Sequence, residues 1–411
     1  MPFAGNPSII PEARGAGKAN LHSGADGLDS PVMNRTDPTP STAIDPRLSE
    51  KLVGVSFLSA CCIVMLHAYQ NSMVEAGGAT AWLALLAGWT LPTFGVPIFF
   101  VISGYLLAVK SARGTAPGWY GKGVKKRVRT LLVPYLLWCT VFALTVIPFT
   151  VLGNHLAGRP PTANTCLREP LASAWNLVLV YGGDLRYAPA NGPMWYVREL
   201  FLLVLAAPVF MKIASSRFWG AVYLLAAGTA FFLHDWMPRS CWQLFETGLS
   251  LRGFLFFPLG LYLAQHPVPR DGIGRLRAAL PAVWLATCVA FVWLRLHGGE
   301  DCMTAKILLS KAANVLGVGA VWVLYDFLPG AGRLARLPVS KDSFFVYAAH
   351  MGVMFTLMCD RSQQLLMARL HVPVAGIFLL RTAVPLAVSL LLAEGVKRLA
   401  PRAYDLLTGG R

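Results

Sequence analysis

The sequence predicts an all-α integral membrane protein of about ten transmembrane helices, with both termini in the cytoplasm. Three observations lead there. Of the 411 residues, 55% are hydrophobic and only 14% charged, against roughly 25% charged in a soluble domain; too little charge remains to cover a water-facing surface. Apolar runs of bilayer length, roughly 20 residues each, follow one another from residue 52 onward. They are continuous rather than alternating, which selects helices over a barrel. Finally, the formal net charge of +16, from 36 Lys and Arg against 20 Asp and Glu, falls unevenly between successive loops. In a soluble chain that excess would point to nucleic acid; here its distribution is a topology signal, and no nucleic-acid partner is expected.

Residues 1–50 are rich in Gly, Pro, Ser, Asp and Asn and hold no apolar run, the composition of a disordered, cytoplasmic N-terminal tail. No signal peptide is visible, and Met33 could equally serve as the start. Residues 51–400 form one polytopic membrane domain, and 401–411 a short cytoplasmic C-terminal tail. The ten spans are read at 52–72, 89–109, 131–152, 194–213, 217–234, 249–265, 278–296, 308–328, 343–360 and 374–394. An amphipathic stretch at 170–182 suits the membrane surface.

Orientation follows from the basic residues. Lys110, Arg113, Lys122, Lys125, Lys126, Arg127 and Arg129 crowd the segment between the second and third spans, which is therefore cytoplasmic. With strict alternation, nineteen basic residues beyond the N-terminal tail lie inside and seven outside. Under the same topology Cys166, Cys241, Cys302 and Cys359 reach the outer face, where two disulfides in any of three pairings are possible. No CxxC or His-rich spacing suggests a metal.

Ionisable residues inside the spans cost several kcal/mol unless paired or hydrated, so each is a functional candidate. They are His67, Arg198, Glu199, Arg252, Lys311, His350 and Arg381, with Arg295 near a span end. His67 lies roughly 24 Å along the first helix from Lys51, in the outer half. Arg198 and Glu199 begin a span entering from outside and share that level. Arg252, Lys311 and Arg381 also start from the outer side, although Arg252 and Lys311 could simply snorkel to headgroups. One carboxylate, Glu199, cannot neutralise so many cations, which implies an anionic ligand or an aqueous cavity. His350 reads as structural, in the inner half of its helix and far from the outer cluster. A transporter of an anionic or sugar-like substrate is the rival function class.

Several stretches, in order, resemble the membrane-bound acyltransferase 3 family of bacterial O- and N-acyltransferases. They are VMLH ending at His67, FGVPIFFVISGYLL (94–107), KKRVRTLLVPYLLW (125–138), PMWYVRELFLL (193–203), GFLFFPLGLYLA (253–264) and SFFVYAAHMGV (343–353). The resemblance covers about residues 50–400. It implies a multi-pass enzyme of the inner cell membrane that passes an acyl group, commonly acetyl from acetyl-CoA, to a hydroxyl or amine of a surface glycan or lipid-linked sugar. Acyl-CoA is then a co-substrate, with no permanently bound cofactor. His67 matches the family's catalytic histidine, as general base or nucleophile. Glu199 joins it as a catalytic candidate that could orient the imidazole. Arg127 and Arg129 match a cytoplasmic arginine pair suited to CoA phosphates. Ser56 occupies a position where the family carries an arginine, and offers a hydroxyl but no charge. Trp195, Arg198, Arg252 and Arg381 are the acceptor-side candidates.

Overall fold

The computed structural model describes residues 45–112, 119–156, 191–237, 250–267 and 274–410. The tail up to residue 44, the amphipathic stretch 170–182, Cys166 and Cys241 lie outside the described residues. Every regular element among the described residues is a helix, and all ten apolar stretches are helical.

Helix α1 runs Pro46–Ala68, with Pro46 at its first position and the Asp45 carboxylate accepting from Arg47 N at 2.9 Å, so a fixed φ and an N-cap start it together. It therefore begins inside the stretch assigned to the tail. After the short helix Asn71–Glu75 the chain reverses at Gly77 and Gly78, both at positive φ. Gly78–Leu83, the π-helical Ala84–Thr90 and the 3₁₀ turn Leu91–Phe94 then lead into α2, Gly95–Ala112. The basic segment is not a loop: Trp119–Arg127 is a helix and Val128–Leu132 a π-helical stretch, continuing into α3, Val133–Leu156. Next come α4 (Trp195–Leu205), α5 (Ala207–Ser215), α6 (Arg217–Leu233) and α7 (Leu251–Gln265). The last part comprises α8 (Gly274–His297), α9 (Met303–Phe327), α10 (Ser343–Leu357), α11 (Asp360–Leu370), α12 (Val374–Leu399) and α13 (Pro401–Thr408).

Six of the described helical runs are long and apolar enough to cross a membrane alone: Pro46–Ala68, Gly78–Ser111, Gly123–Thr145, Arg277–His297, Glu300–Phe327 and Val374–Leu399. The pair Pro338–Leu357 and Ser362–Leu370, bent by 57°, makes a seventh if counted as one broken span. The remaining apolar stretches are shorter than expected. A break at Ala206–Pro208 divides the fourth into α4 and α5. The 15 residues of α7 and of α10 span about 22 Å each, less than the roughly 30 Å hydrocarbon core.

The core forms where α2 crosses α7. A Cβ on Gly104 would meet Phe257 O at 2.1 Å, and one on Gly260 would meet Val101 O at 2.1 Å. Two glycines facing each other thus let the backbones touch, as small residues do between membrane helices. Around this crossing pack Phe100, Phe256, Phe257 and Leu261, all buried. The opposite pattern marks the periphery: Leu144 on α3, Leu225 on α6, Trp293 on α8 and Leu391 on α12 are exposed apolar side chains, the surface expected toward lipid.

Residues 401–408, expected within a tail, form a docked helix. Pro401 starts α13, and Tyr404 is buried and stacks on Phe345 at 5.7 Å. Its hydroxyl donates to Asp342, which also pairs with Lys397 at 2.6 Å. Trp138 Nε1 donates to Leu407 O at 2.9 Å. Burial, reinforced by the Asp342 carboxylate accepting its proton, holds the Tyr404 phenol above its ordinary range.

Candidate active site

His67 occupies the last turn of α1. Its ring lies 5.3 Å from that of His350, tilted by 36°, which overturns the reading of His350 as remote from the outer group. The physical reason lies before α10. The 3₁₀ turn Pro338–Asp342 already buries Ser340 and Asp342, so α10 starts from residues inside the protein. Glu50 of α1 pairs with Arg336 at 3.0 Å, so both chains rise from one level and their histidines arrive together.

His350 is fully buried. Its Nδ1 has two carbonyl neighbours, Tyr347 O at 2.7 Å and Val346 O at 3.2 Å. Facing acceptors only, Nδ1 carries the proton, which leaves Nε2 a bare acceptor without a partner among the described residues. His67 makes no hydrogen bond with any described residue, so its imidazole is held by packing alone.

A chain of rings links this pair toward the arginines of the basic segment. Tyr347 lies 6.3 Å from His350 and 6.0 Å from Tyr196. Tyr196 packs on Phe100 at 4.7 Å, and its hydroxyl shares a hydrogen bond with Ser103 at 3.1 Å. Tyr347 donates to Pro193 O, and Asn191 Nδ2 donates to Ala348 O at 2.8 Å. Three of the sequence motifs therefore meet around Tyr196 and Tyr347. Arg127, half-buried at the end of helix Trp119–Arg127, lies within electrostatic reach of Tyr196. Arg129 is exposed in the π-helical stretch. Tyr120 of the same basic helix donates to Leu205 O at 2.5 Å. Because α4 has only 11 residues, about 16 Å, the helix docked on its C-terminal end comes close to the residues at its N-terminal end.

Arg381 is placed differently from the other acceptor-side candidates. Its Nε donates to Ala68 O at 3.1 Å and its Nη1 to Met358 O at 2.9 Å. Those carbonyls close the C-terminal ends of α1 and α10, where a cation is favoured. Arg381 thus fastens together the helices that carry the two histidines. Trp195 is half-buried, 6.4 Å from Phe100. Arg198 lies beside Tyr135, and its Nε has no partner.

Glu199, the next residue on α4, is buried, and no hydrogen bond joins it to His67. Its Oε1 accepts from Ser250 N at 2.7 Å and Ser250 Oγ at 2.9 Å. Ser250 is the N-cap of α7, its hydroxyl accepting from Gly253 N at 3.2 Å. A carboxylate at a helix N-terminus is favoured by both the free N–H groups and the helix dipole. Gly253 makes the room: a Cβ there would meet Glu199 Oε1 at 2.1 Å. Glu199 therefore holds the start of α7, and with it Arg252.

Arg252 opens onto a cavity of about 780 Å³ at the end of the bundle that the charge pattern places outside. Arg295, Lys306, Lys311 and the Asp235 carboxylate also line it, with Tyr69 and Trp89 among its aromatic walls. Lys311 pairs with Asp235 and donates to Phe232 O at 3.1 Å. Partial burial would raise the Asp235 carboxyl, but the hydrogen bond and charge of Lys311 hold it below the ordinary carboxylate range. Lys306 is fixed on Gly298 O at 2.7 Å and Gly299 O at 3.1 Å. Of the four acceptor-side candidates, only Arg252 lines this cavity.

Ser56 is half-buried on α1. Lys51, a turn earlier, pairs with Asp326 at 2.6 Å and lies 4.2 Å from the centroid of the Trp322 ring, so its charge is already engaged. No disulfide joins two of the described cysteines, and no group of three or more His, Cys, Asp or Glu among the described residues could hold a metal. Sequence reasoning overlooked Asp235, Tyr196 and Ser103. The last two stand inside recognised motifs, but only the tertiary crossing brings them together.

The family model described as an acyltransferase domain matches residues 54–393. The succinoglycan biosynthesis protein ExoH of Rhizobium meliloti (strain 1021) is 26% identical over 379 residues, covering 90% of this chain and 94% of the relative. No solved structure matches the chain.

Proposed function

Because the chain belongs to the membrane-bound acyltransferase 3 family and is therefore a multi-pass membrane acyltransferase, we propose that it transfers an acyl group from acyl-CoA, acetyl-CoA first among candidates, to a hydroxyl or amine of a surface glycan or lipid-linked sugar at the inner cell membrane. The naming of its relative as a succinoglycan biosynthesis protein supports a glycan acceptor. The observation that carries the reading is the meeting of His67 and His350 at one end of a ring chain whose other end lies near Arg127.

Arg127 and Arg129 receive the CoA phosphates, with the Ser56 hydroxyl below His67 on α1. His67 takes the proton of the acceptor hydroxyl as that oxygen forms its bond to the thioester carbonyl. The carbon–sulfur bond then breaks, and the CoA thiolate leaves with the proton returned by the imidazolium. His350, whose ring lies 5.3 Å from that of His67, is a positioning residue: it packs beside His67 and sets the angle at which the His67 imidazole faces the acceptor. Glu199 acts through Ser250 on the placement of α7 and Arg252. Trp195 and Arg198 flank the acceptor route, and Arg381 holds the histidine helices in register.

The test is purified protein with radiolabelled acetyl-CoA. The expected result is donor hydrolysis or transfer that His67→Ala abolishes and His350→Ala reduces. Full turnover by His67→Ala would overturn the assignment.

A further inference from the structure

We propose that the outer cavity is a subsite for an oxyanion-bearing sugar of the acceptor, with Arg252 and Arg295 as its ligating residues. The inference rests on the acyltransferase reading above and narrows its acceptor to an acidic glycan. Among the described residues, four cations and a single carboxylate line the cavity. Asp235 neutralises Lys311, and two carbonyls fix Lys306 without neutralising it. The guanidiniums of Arg252 and Arg295 form no ion pair or hydrogen bond among the described residues. Glu199 is held on Ser250 through its Oε1 and adds a negative charge near Arg252, which still leaves the cations in excess.

No topology rule calls for these cations, since the charge pattern depletes the outer face. Arg252 and Arg295 are both exposed, so their guanidiniums are open to a bound oxyanion that enters the cavity. A guanidinium fork matches a carboxylate or phosphate in two parallel hydrogen bonds. The remaining lining suits a sugar: the rings of Tyr69 and Trp89, 5.1 Å apart, offer apolar faces, while Gln70, Asn71 and Asn314 offer amides for hydroxyls. The volume falls within the roughly 300–1,000 Å³ of small-molecule sites.

The experiment uses the full-length protein in lipid nanodiscs without acyl donor, titrated calorimetrically with a galacturonic acid oligosaccharide, a neutral galactose oligosaccharide of equal length, and pyrophosphate. The uronate should bind at least about tenfold more tightly than the neutral sugar and weaken with added salt. Arg295→Gln and Arg252→Gln should each weaken it about fivefold or more, and Arg295→Lys, which keeps the charge, less. Arginine-dependent binding of pyrophosphate in place of the uronate would support the oxyanion site and assign its ligand to a lipid-linked phosphate. Equal binding of acidic and neutral sugars, or binding unchanged in both glutamine variants, would overturn the proposal. Uronate binding without any His67-dependent donor turnover would instead count against the acyltransferase reading, so the two fail separately.

Discussion

The molecule has two populations of helices that hydropathy alone does not separate. In α1 and the run Gly78–Ser111, half or more of the spanning residues are buried, whereas in the spanning windows around α3, α8, α9 and α12 the share is between 22% and 33%. The short helices α4, α7 and α10 belong with the buried set: α10 alone buries Phe344, Tyr347, His350 and Met354. A lipid-facing helix must cross the whole hydrocarbon layer and satisfy its own backbone throughout. A helix enclosed by others can stop early, because protein and cavity meet its free ends. Glu199 on Ser250 and Arg381 on Ala68 O are such meetings. Chemistry therefore collects where the helices are short.

The largest difference between the two sets should be catalytic. His67→Ala removes the imidazole proposed as general base and should slow acyl transfer by about 10²–10⁴-fold, measured with labelled donor. His297→Gln, exposed at the end of α8, should leave the rate within twofold. Comparable losses in both would dissolve the distinction between inner and outer helices.

Next comes the α2–α7 crossing. Gly104→Ala or Gly260→Ala forces a methyl against a backbone carbonyl that cannot swing aside, and should cost about 1–3 kcal/mol or more. Gly228→Ala on α6 meets open space and should be neutral or gain about 0.5–1 kcal/mol from helix propensity. Thermal unfolding in detergent compares them directly.

Arg381→Met should follow, at about 1–3 kcal/mol for leaving buried carbonyls unpaired. It should also slow transfer, because α1 and α10 lose the clamp behind His67 and His350. Unchanged kinetics at reduced stability would restrict Arg381 to the fold.

Much of this was legible from the residues. The continuous apolar runs fall on helices among the described residues, and the motifs singled out His67, Glu199 and the arginine pair. Span length was not legible, since nothing in hydropathy distinguishes α7, about 22 Å long, from a full crossing. The role of Arg381 was hidden for a related reason. A buried cation reads as a ligand for something absent, whereas its partners are two carbonyls that exist only because α1 and α10 end side by side. His350 was misplaced because a span drawn from hydropathy begins at residue 343, whereas Ser340 and Asp342 before it are already buried.

The smallest effect gives the sharpest test of the periphery. Leu391 on α12 is 72% exposed. In water, a leucine so placed would be a liability and its truncation a gain. Against acyl chains, neither state differs much in solvent, because lipid is as apolar as leucine itself. Leu391→Ala should therefore change stability by less than about 0.5 kcal/mol, within the range of ordinary surface substitutions. A loss of about 2 kcal/mol or more would require a close-packed protein neighbour on that face, and α12 would then belong to an interface between copies of the chain rather than to the lipid boundary.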